Sequence, residues 1–424
     1  MARLLSLAVF FGVAFSLSSA ALLPGQVAST TLDNEVRAAY AAVENARARM
    51  NGEMSDEQRR TRMDGYRQSA LDFVKKFEGN RGRITIGHFD LGRAYIDLQD
   101  TQNAAKHFRL FLDRAPLHAE AESAELFLGD CYRSLSRLGE AAALYRKFLS
   151  KYPKSDRLPY ARLGLATAFF LDLRFSEAVK AYDETLRAHP EHEVAADAAL
   201  QVIDALTYLG DYKEARKRLA ALRSEAEEAP ELQRKAKVLE LIGSQAPALV
   251  GMAQWIGSNG SSLARNRGRV VVMCFFMNNN IPSTLMLQNL SGMEQSLRGR
   301  PVTFWGLTKA YKAGQNKWTI AAEAKWLSQY RANPRRVLQK ELRAKVVAGS
   351  EEEGLWKSLE KPIRIPIGLA KDFDNHKAYE VRGVPCVVVI DKTGKIRLIE
   401  QGGQPVGGFQ SRLLSQQIRK FAAE

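Results

Sequence analysis

Apolar and small positions recur along the first half of the chain with a step of 37 residues. Leu91-Gly92, Leu128-Gly129 and Leu165-Ala166 keep that step, as do Tyr95, Tyr132 and Phe169. Ala104, Ala141, Ala178 and Ala215 share it, and so do Phe108, Tyr145 and Tyr182, and then Pro116, Pro153 and Pro190. The pattern predicts paired helices. Small residues stand where two helices touch, large ones fill the space between them, and proline ends the second helix because it lacks an N–H and clashes with the preceding turn. Three units from Ile86 to Pro190 are complete, and a fourth, Glu191 to Pro230, keeps Ala215 but not the Leu-Gly pair. Upstream, Ala39, Tyr40 and Val43, and then Tyr66, Ala70, Val74 and Phe77, have helical spacing. They predict an opening pair of capping helices over Asn34 to Gly79.

The pattern changes at Ile242. After the extended lead-in Ile242–Pro247, Val270–Phe275 is a continuous apolar run suited to a buried strand. A helix is expected after Pro282, from Leu285, Leu287, Leu290, Met293 and Leu297. Further strands are expected at Val302–Leu307, Arg364–Leu369, Pro385–Ile390 and Ile396–Ile399. The last two are joined by the turn Asp391–Gly394, and a final helix covers about Phe409–Phe421.

Composition adds an address and a charge asymmetry. Met1–Ala20 has one charge, Arg3, then an apolar run from Leu4 to Leu17 and small residues before a cleavage point. This is the form of a secretory signal peptide, shorter than the roughly 20 residues of a membrane helix. The mature chain is expected in the periplasm or secreted. Of the net charge of +15, residues 246–424 carry +14, from 27 Lys+Arg and 13 Asp+Glu. An insertion over about 310–360 is expected to form a basic helix carrying Lys325, Arg331, Arg335 and Arg336, with apolar contacts from Trp318, Trp326, Leu327 and Tyr330. Such a field attracts anionic envelope polymer or a membrane surface. Nucleic acid is not an expected partner of an exported chain. Three cysteines, Cys131, Cys274 and Cys386, are too few for a disulfide scaffold. No motif indicates a metal or other cofactor, and His189 and His192 flank Pro190 without further ligands.

The repeat positions resemble the tetratricopeptide repeat, whose period is about 34. The extra residues add nearly one helical turn. The second part resembles the thioredoxin-like fold, in particular exported TlpA/ResA-type redoxins and their AhpC/TSA (peroxiredoxin) relatives. The resemblance rests on Gly243-Ser-Gln-Ala-Pro247, Arg267–Val272, Gly383-Val-Pro385 and Asp391–Ile396. It implies a cis proline at Pro385 and a Cys-x-x-Cys at the start of the helix after the first buried strand. A helix N-terminus there lowers a thiol's pKa so that a thiolate can attack a disulfide. In this chain that position reads Asn280-Ile281-Pro282-Ser283, with the proline kept and both thiols gone.

The sequence therefore describes a multidomain chain. A signal peptide (1–20) precedes an all-α tetratricopeptide solenoid (34–241) and an α/β thioredoxin-like domain (242–424). The expected function is non-catalytic binding of a protein or peptide through the solenoid groove and the cis-proline loop, Val384 and Pro385. The rival is a thiol–disulfide oxidoreductase, or a peroxiredoxin-like antioxidant protein, working through Cys274 or Cys386. Cys131, inside a repeat signature, is expected to be packing.

Overall fold

The 37-residue period reappears in the backbone. Gln99, Ser136, Leu173 and Gly210, one per repeat, all have positive φ, at 62°, 59°, 62° and 98°. Each ends the first helix of a pair in a left-handed residue. The next N–H (Asp100, Arg137, Arg174, Asp211) reaches back to the carbonyl of Tyr95, Tyr132, Phe169 or Leu206 at 2.8–2.9 Å. In the first three repeats the aromatic column of the sequence is thus also the acceptor column of the helix caps, and Leu206 takes that place in the fourth. The second helices stop at Ala115, Tyr152 and His189, which share φ near −130° and ψ near 57° ahead of each proline.

The computed structural model describes residues 30–51, 54–225, 230–258, 260–277, 280–310, 319–342, 359–402 and 408–424. The signal segment 1–20 lies outside them, as do Lys312, Lys317, Trp318, Arg343 and Lys345 of the insertion. The chain groups into two compact units, Met1–Pro153 and Lys154–Glu424.

In the first unit, α1 (Thr31–Ala48) and α2 (Asp56–Phe77) form the expected opening pair. Both start at a capping box, Thr30/Asp33 and Ser55/Gln58, which satisfies two otherwise orphaned N–H groups at each helix start. Val36, Tyr40 and Val43 pack with Tyr66, Ala70, Phe73 and Phe77. The pairs α3/α4 (Gly87–Asp97, Thr101–Arg114) and α5/α6 (Ala121–Ser134, Leu138–Lys151) follow. A Cβ on Gly92 would sit 2.7 Å from the Phe108 ring, and one on Gly129 2.9 Å from the Tyr145 ring. The small residue therefore admits the aromatic of the facing helix.

In the second unit, α7 (Leu158–Leu171), α8 (Phe175–Ala188), α9 (Val194–Leu209), α10 (Tyr212–Glu225) and α11 (Pro230–Leu241) lead into a six-stranded sheet. Its order is β1 (Met252–Ile256), β4 (Ile367–Ala370), β3 (Val302–Lys309), β2 (Val270–Phe275), β5 (Cys386–Ile390), β6 (Ile396–Gln401). The pairs β2/β3 and β3/β4 are parallel, and β1, β5 and β6 run antiparallel to their neighbours. α12 (Ile281–Ser296) crosses from β2 to β3, and α13 (Ile320–Ala332) and α14 (Pro334–Leu342) lie in the insertion. α15 (Asp374–Ala378) precedes the cis-proline loop and α16 (Phe409–Ala423) ends the chain. β1 and α15 have no counterpart in the sequence expectation. β4 lies a few residues later than the expected strand. Among the described residues of the insertion the expected single basic helix is divided, because Pro334 starts a new helix that Asn333 caps by accepting the Arg336 N–H at 2.9 Å.

The repeats α7–α10 are fastened to the sheet within this unit. Phe170 stacks on Phe409 at 5.2 Å and Phe175 meets Tyr208 at 5.2 Å. The Tyr208 hydroxyl donates to Glu400 at 2.6 Å, Gln417 donates to the Tyr208 carbonyl at 2.9 Å, and Arg412 donates to the Leu171 carbonyl at 2.8 Å. The lead-in joins the edge of β6, with Gly243 N–H to the Ile396 carbonyl at 2.7 Å.

Candidate functional site

The site is built at the end of β2. This strand is buried along its whole length, so its N–H and C=O groups must pair, and they do so with β3 and β5. The chain then turns into α12. At the turn Asn280 is the N-cap, its side-chain oxygen accepting the Ser283 N–H at 2.8 Å. The helix start that would favour a thiolate is occupied by a neutral amide. Ile281 is half-buried and Pro282 is exposed in the first turn. Ser283 is fully buried and its hydroxyl accepts the Met277 N–H at 3.4 Å, while Thr284 beside it is also fully buried.

The insertion seals this corner. The Tyr330 hydroxyl shares a hydrogen bond with the Thr284 hydroxyl at 2.7 Å. Its ring lies parallel to Phe276, with centroids 6.2 Å apart, and to Trp326 at 5.2 Å. Leu327 and Tyr330 are fully buried, so the apolar face of α13 belongs to the core beside α12. The four basic residues singled out in the insertion divide. Arg331 is committed inward, donating to the carbonyls of Ile365 at 3.0 Å and Arg364 at 2.5 Å, and Arg335 pairs with Glu360. Lys325 and Arg336 are exposed.

The Val384–Pro385 bond is cis, as the resemblance implies. Val384 is half-buried, Pro385 is buried, and the Pro385 carbonyl accepts the Gly402 N–H at 2.8 Å. The β2/β5 register pairs Phe275 with Cys386, so Pro385 continues it beside Phe276.

The register also separates the thiols. Cys274 lies opposite Val387, and Cys386 lies opposite Phe275. Directly opposed residues share a face and successive residues alternate, so the two sulfurs leave opposite faces of the sheet. Cys274 joins Val272, Phe276, Val387 and Leu287 in one core cluster, which does not contain Cys386. Both cysteines are free and have no exposed surface. Burial pushes both thiols well above the ordinary range, and for Cys386 the fields of Cys274 and Glu400 add to it. Cys131 is buried in α5, and burial raises its thiol to about 12. Among the described residues no cluster of three or more His, Cys, Asp or Glu could hold a metal, and no helix is long and apolar enough to cross a membrane.

Two features here escaped sequence reasoning. One is the Tyr330–Thr284 hydroxyl pair. The other is the Tyr208–Glu400 contact, which joins residues 192 apart in sequence and has no local signal.

Paired helices with a left-handed turn and a small-residue notch, followed by a sheet with a central parallel crossover and a cis-proline hairpin, define the class. The chain combines tetratricopeptide-type repeats with a thioredoxin-like α/β domain. Residues 89–156 match the tetratricopeptide repeat family, whose repeats in general mediate protein–protein interaction. No curated protein matches the chain. Among solved structures, a putative thiol:disulfide interchange protein DsbE from Chlorobium tepidum is 16% identical, over 43% of this chain and 97% of its own, with a TM-score of 0.29. A thiol-disulfide isomerase from Corynebacterium glutamicum is 18% identical, over 42% of this chain and 97% of its own, with a TM-score of 0.29. A putative kinesin light chain with TPR-like repeats from Podospora anserina is 14% identical, over 49% of this chain and 99% of its own, with a TM-score of 0.36.

Proposed function

We propose that this chain is an exported, non-catalytic binding protein of the cell envelope. Its repeats and its cis-proline loop take a protein or peptide partner. The observation that carries the reading is the position of the sulfurs. Thiol–disulfide exchange needs an accessible thiolate. Cys274 and Cys386 are fully buried on opposite sheet faces, and Asn280 caps the helix where the attacking thiol would stand. The α13 aromatics packed behind that cap support the same reading, because Tyr330 engages the Thr284 hydroxyl, and Ser283 beside it is buried as well. The docking of α7–α10 on α16 and β6 ties the helical repeats to the sheet, which suits a scaffold that presents two binding surfaces together.

Insulin-disulfide reduction tests the absence of chemistry. The expected rate is that of the reductant alone, and turnover abolished by Cys386→Ser or Cys274→Ser would establish the oxidoreductase instead. Export is tested by fractionation and N-terminal sequencing. A start just after Ala20 is expected, and an intact N-terminus in the cytoplasm would overturn it.

A further inference from the structure

Two histidines on neighbouring helices of the first unit are buried against each other with their protons dictated by their neighbours. His88 on α3 and His107 on α4 have no exposed surface, and their Nδ1 atoms are 2.9 Å apart. Arg114 can only donate, and its guanidinium lies 3.0 Å from His88 Nε2, so that nitrogen must accept. His88 therefore carries its proton on Nδ1 and gives it to His107 Nδ1. His107 then carries its proton on Nε2, which donates to the Glu78 carboxylate at 2.9 Å. The Tyr95 hydroxyl donates to the same oxygen at 3.0 Å. The chain of bonds runs in one direction, Arg114 to His88 to His107 to Glu78, and every group is satisfied.

A further proton is opposed by the donors already in place, although the Arg81 carbonyl and Asp33 favour one on His88 and Glu78 favours one on His107. On His88 it would put an N–H against the Arg114 guanidinium, and on His107 it would set two N–H groups facing each other at 2.9 Å. Reversing both tautomers would turn a lone pair toward Glu78. The surrounding charges are Asp33 from α1, Glu78 and Arg81 from the connection, Lys106 and Arg114 from α4, and Asp100 beside Tyr95. Asp33 accepts the N–H groups of Thr85 at 2.9 Å and Gly87 at 2.8 Å, and Arg114 also binds the carbonyls of Arg81 at 3.1 Å and Ile84 at 2.5 Å. Arg114, which bonds His88, therefore also holds residues 81 and 84 of the link from α2 into the repeats, and Asp33 holds residues 85 and 87 of the same link.

We propose that the His88–His107 pair is an acid-sensitive latch: with both rings neutral it pins the 78–87 connection onto α3 and α4, and uptake of one proton from solvent releases it. Burial first, then the neighbouring His107 and Arg114, lower His88 to about 4, and burial lowers His107 against the pull of Glu78. A histidine whose folded pKa is depressed contributes stability that is complete above its ordinary value of 6.5 and fades as pH falls toward the folded value.

The test is hydrogen exchange of residues 78–87 in the full chain, corrected for intrinsic rate and compared with α6, at pH 7.5 and 4.5. Proton-linked opening predicts an exchange increase on the order of 50- to 100-fold at the lower pH, with the double variant H88Q/H107Q flat. Proton-coupled ¹⁵N spectra of the wild-type imidazoles give a readout that needs no variant. At pH 7.5 they must show the proton on Nδ1 of His88 and on Nε2 of His107. The opposite tautomers, exchange that changes less than about 5-fold, or a double variant that keeps the wild-type response would overturn the latch.

Discussion

Cys274 and Cys386 are one register step apart on hydrogen-bonded strands, and their sulfurs leave opposite faces of the sheet. Strand parity alone therefore forbids a disulfide between them, however close their backbones lie. The folded protein should take up no Ellman's reagent in the time that the denatured chain titrates all three cysteines. Pre-treatment with reductant should leave the denatured count unchanged. Fast labelling of one thiol in the native state would contradict the geometry.

Gly129 has a different kind of consequence. Its missing side chain is the notch that admits Tyr145, and a Cβ there would lie 2.9 Å from the ring. Gly129→Val should lower stability by about 2 kcal/mol in denaturant unfolding, as overpacking does. Gly129→Ala should cost less, because the equivalent position of the third repeat holds Ala166. Equal stability for the valine variant would mean that the helices separate freely.

Ser136 is exposed and has a φ of 59°. An L-residue there carries roughly 1–2 kcal/mol of backbone strain that glycine does not, while glycine loses some additional unfolded-state entropy. Ser136→Gly should therefore stabilise the protein by about 0.5–1 kcal/mol. Gln99→Gly should behave alike, since the fourth repeat already has Gly210 at this turn. A fall in melting temperature for both would argue that the serine and glutamine side chains are needed there.

Glu400 joins the helical repeats to the sheet through Tyr208. Burial raises its carboxyl to about 7, aided by Asp204 and opposed by the Tyr208 hydrogen bond and Lys235. A carboxyl with a raised folded pKa binds its proton more tightly in the native state, so its contribution is complete below 4.5 and is lost as pH rises through 7. Stability should fall by about 3 kcal/mol across that window, and Glu400→Gln should remove this component and leave the protein more stable above pH 7. A variant with the parent's pH profile would place the titration elsewhere. This slope is opposite in sign to that of the histidine pair, so thermal melts of each variant across pH distinguish the two.

The sequence by itself determined the elements that obey a local rule. The 37-residue period, the proline stops, the aromatic–small pairing and the buried strands all follow from helix and strand geometry, which repeats every few residues whatever lies beyond. It also determined that no cysteine stands at Asn280–Ser283, because composition at a position needs no coordinates. Tertiary structure decided what depends on partners far along the chain: which face each thiol takes, that α13 turns Trp326 and Tyr330 into the core beside Thr284, and that Arg331 is spent on backbone carbonyls while Lys325 stays exposed. It also grouped α7–α11 with the sheet, through Tyr208 and Glu400, and set His88 against His107. Apolar spacing says that a residue is buried. Strand register and helix packing, which are set only when distant segments meet, say against what.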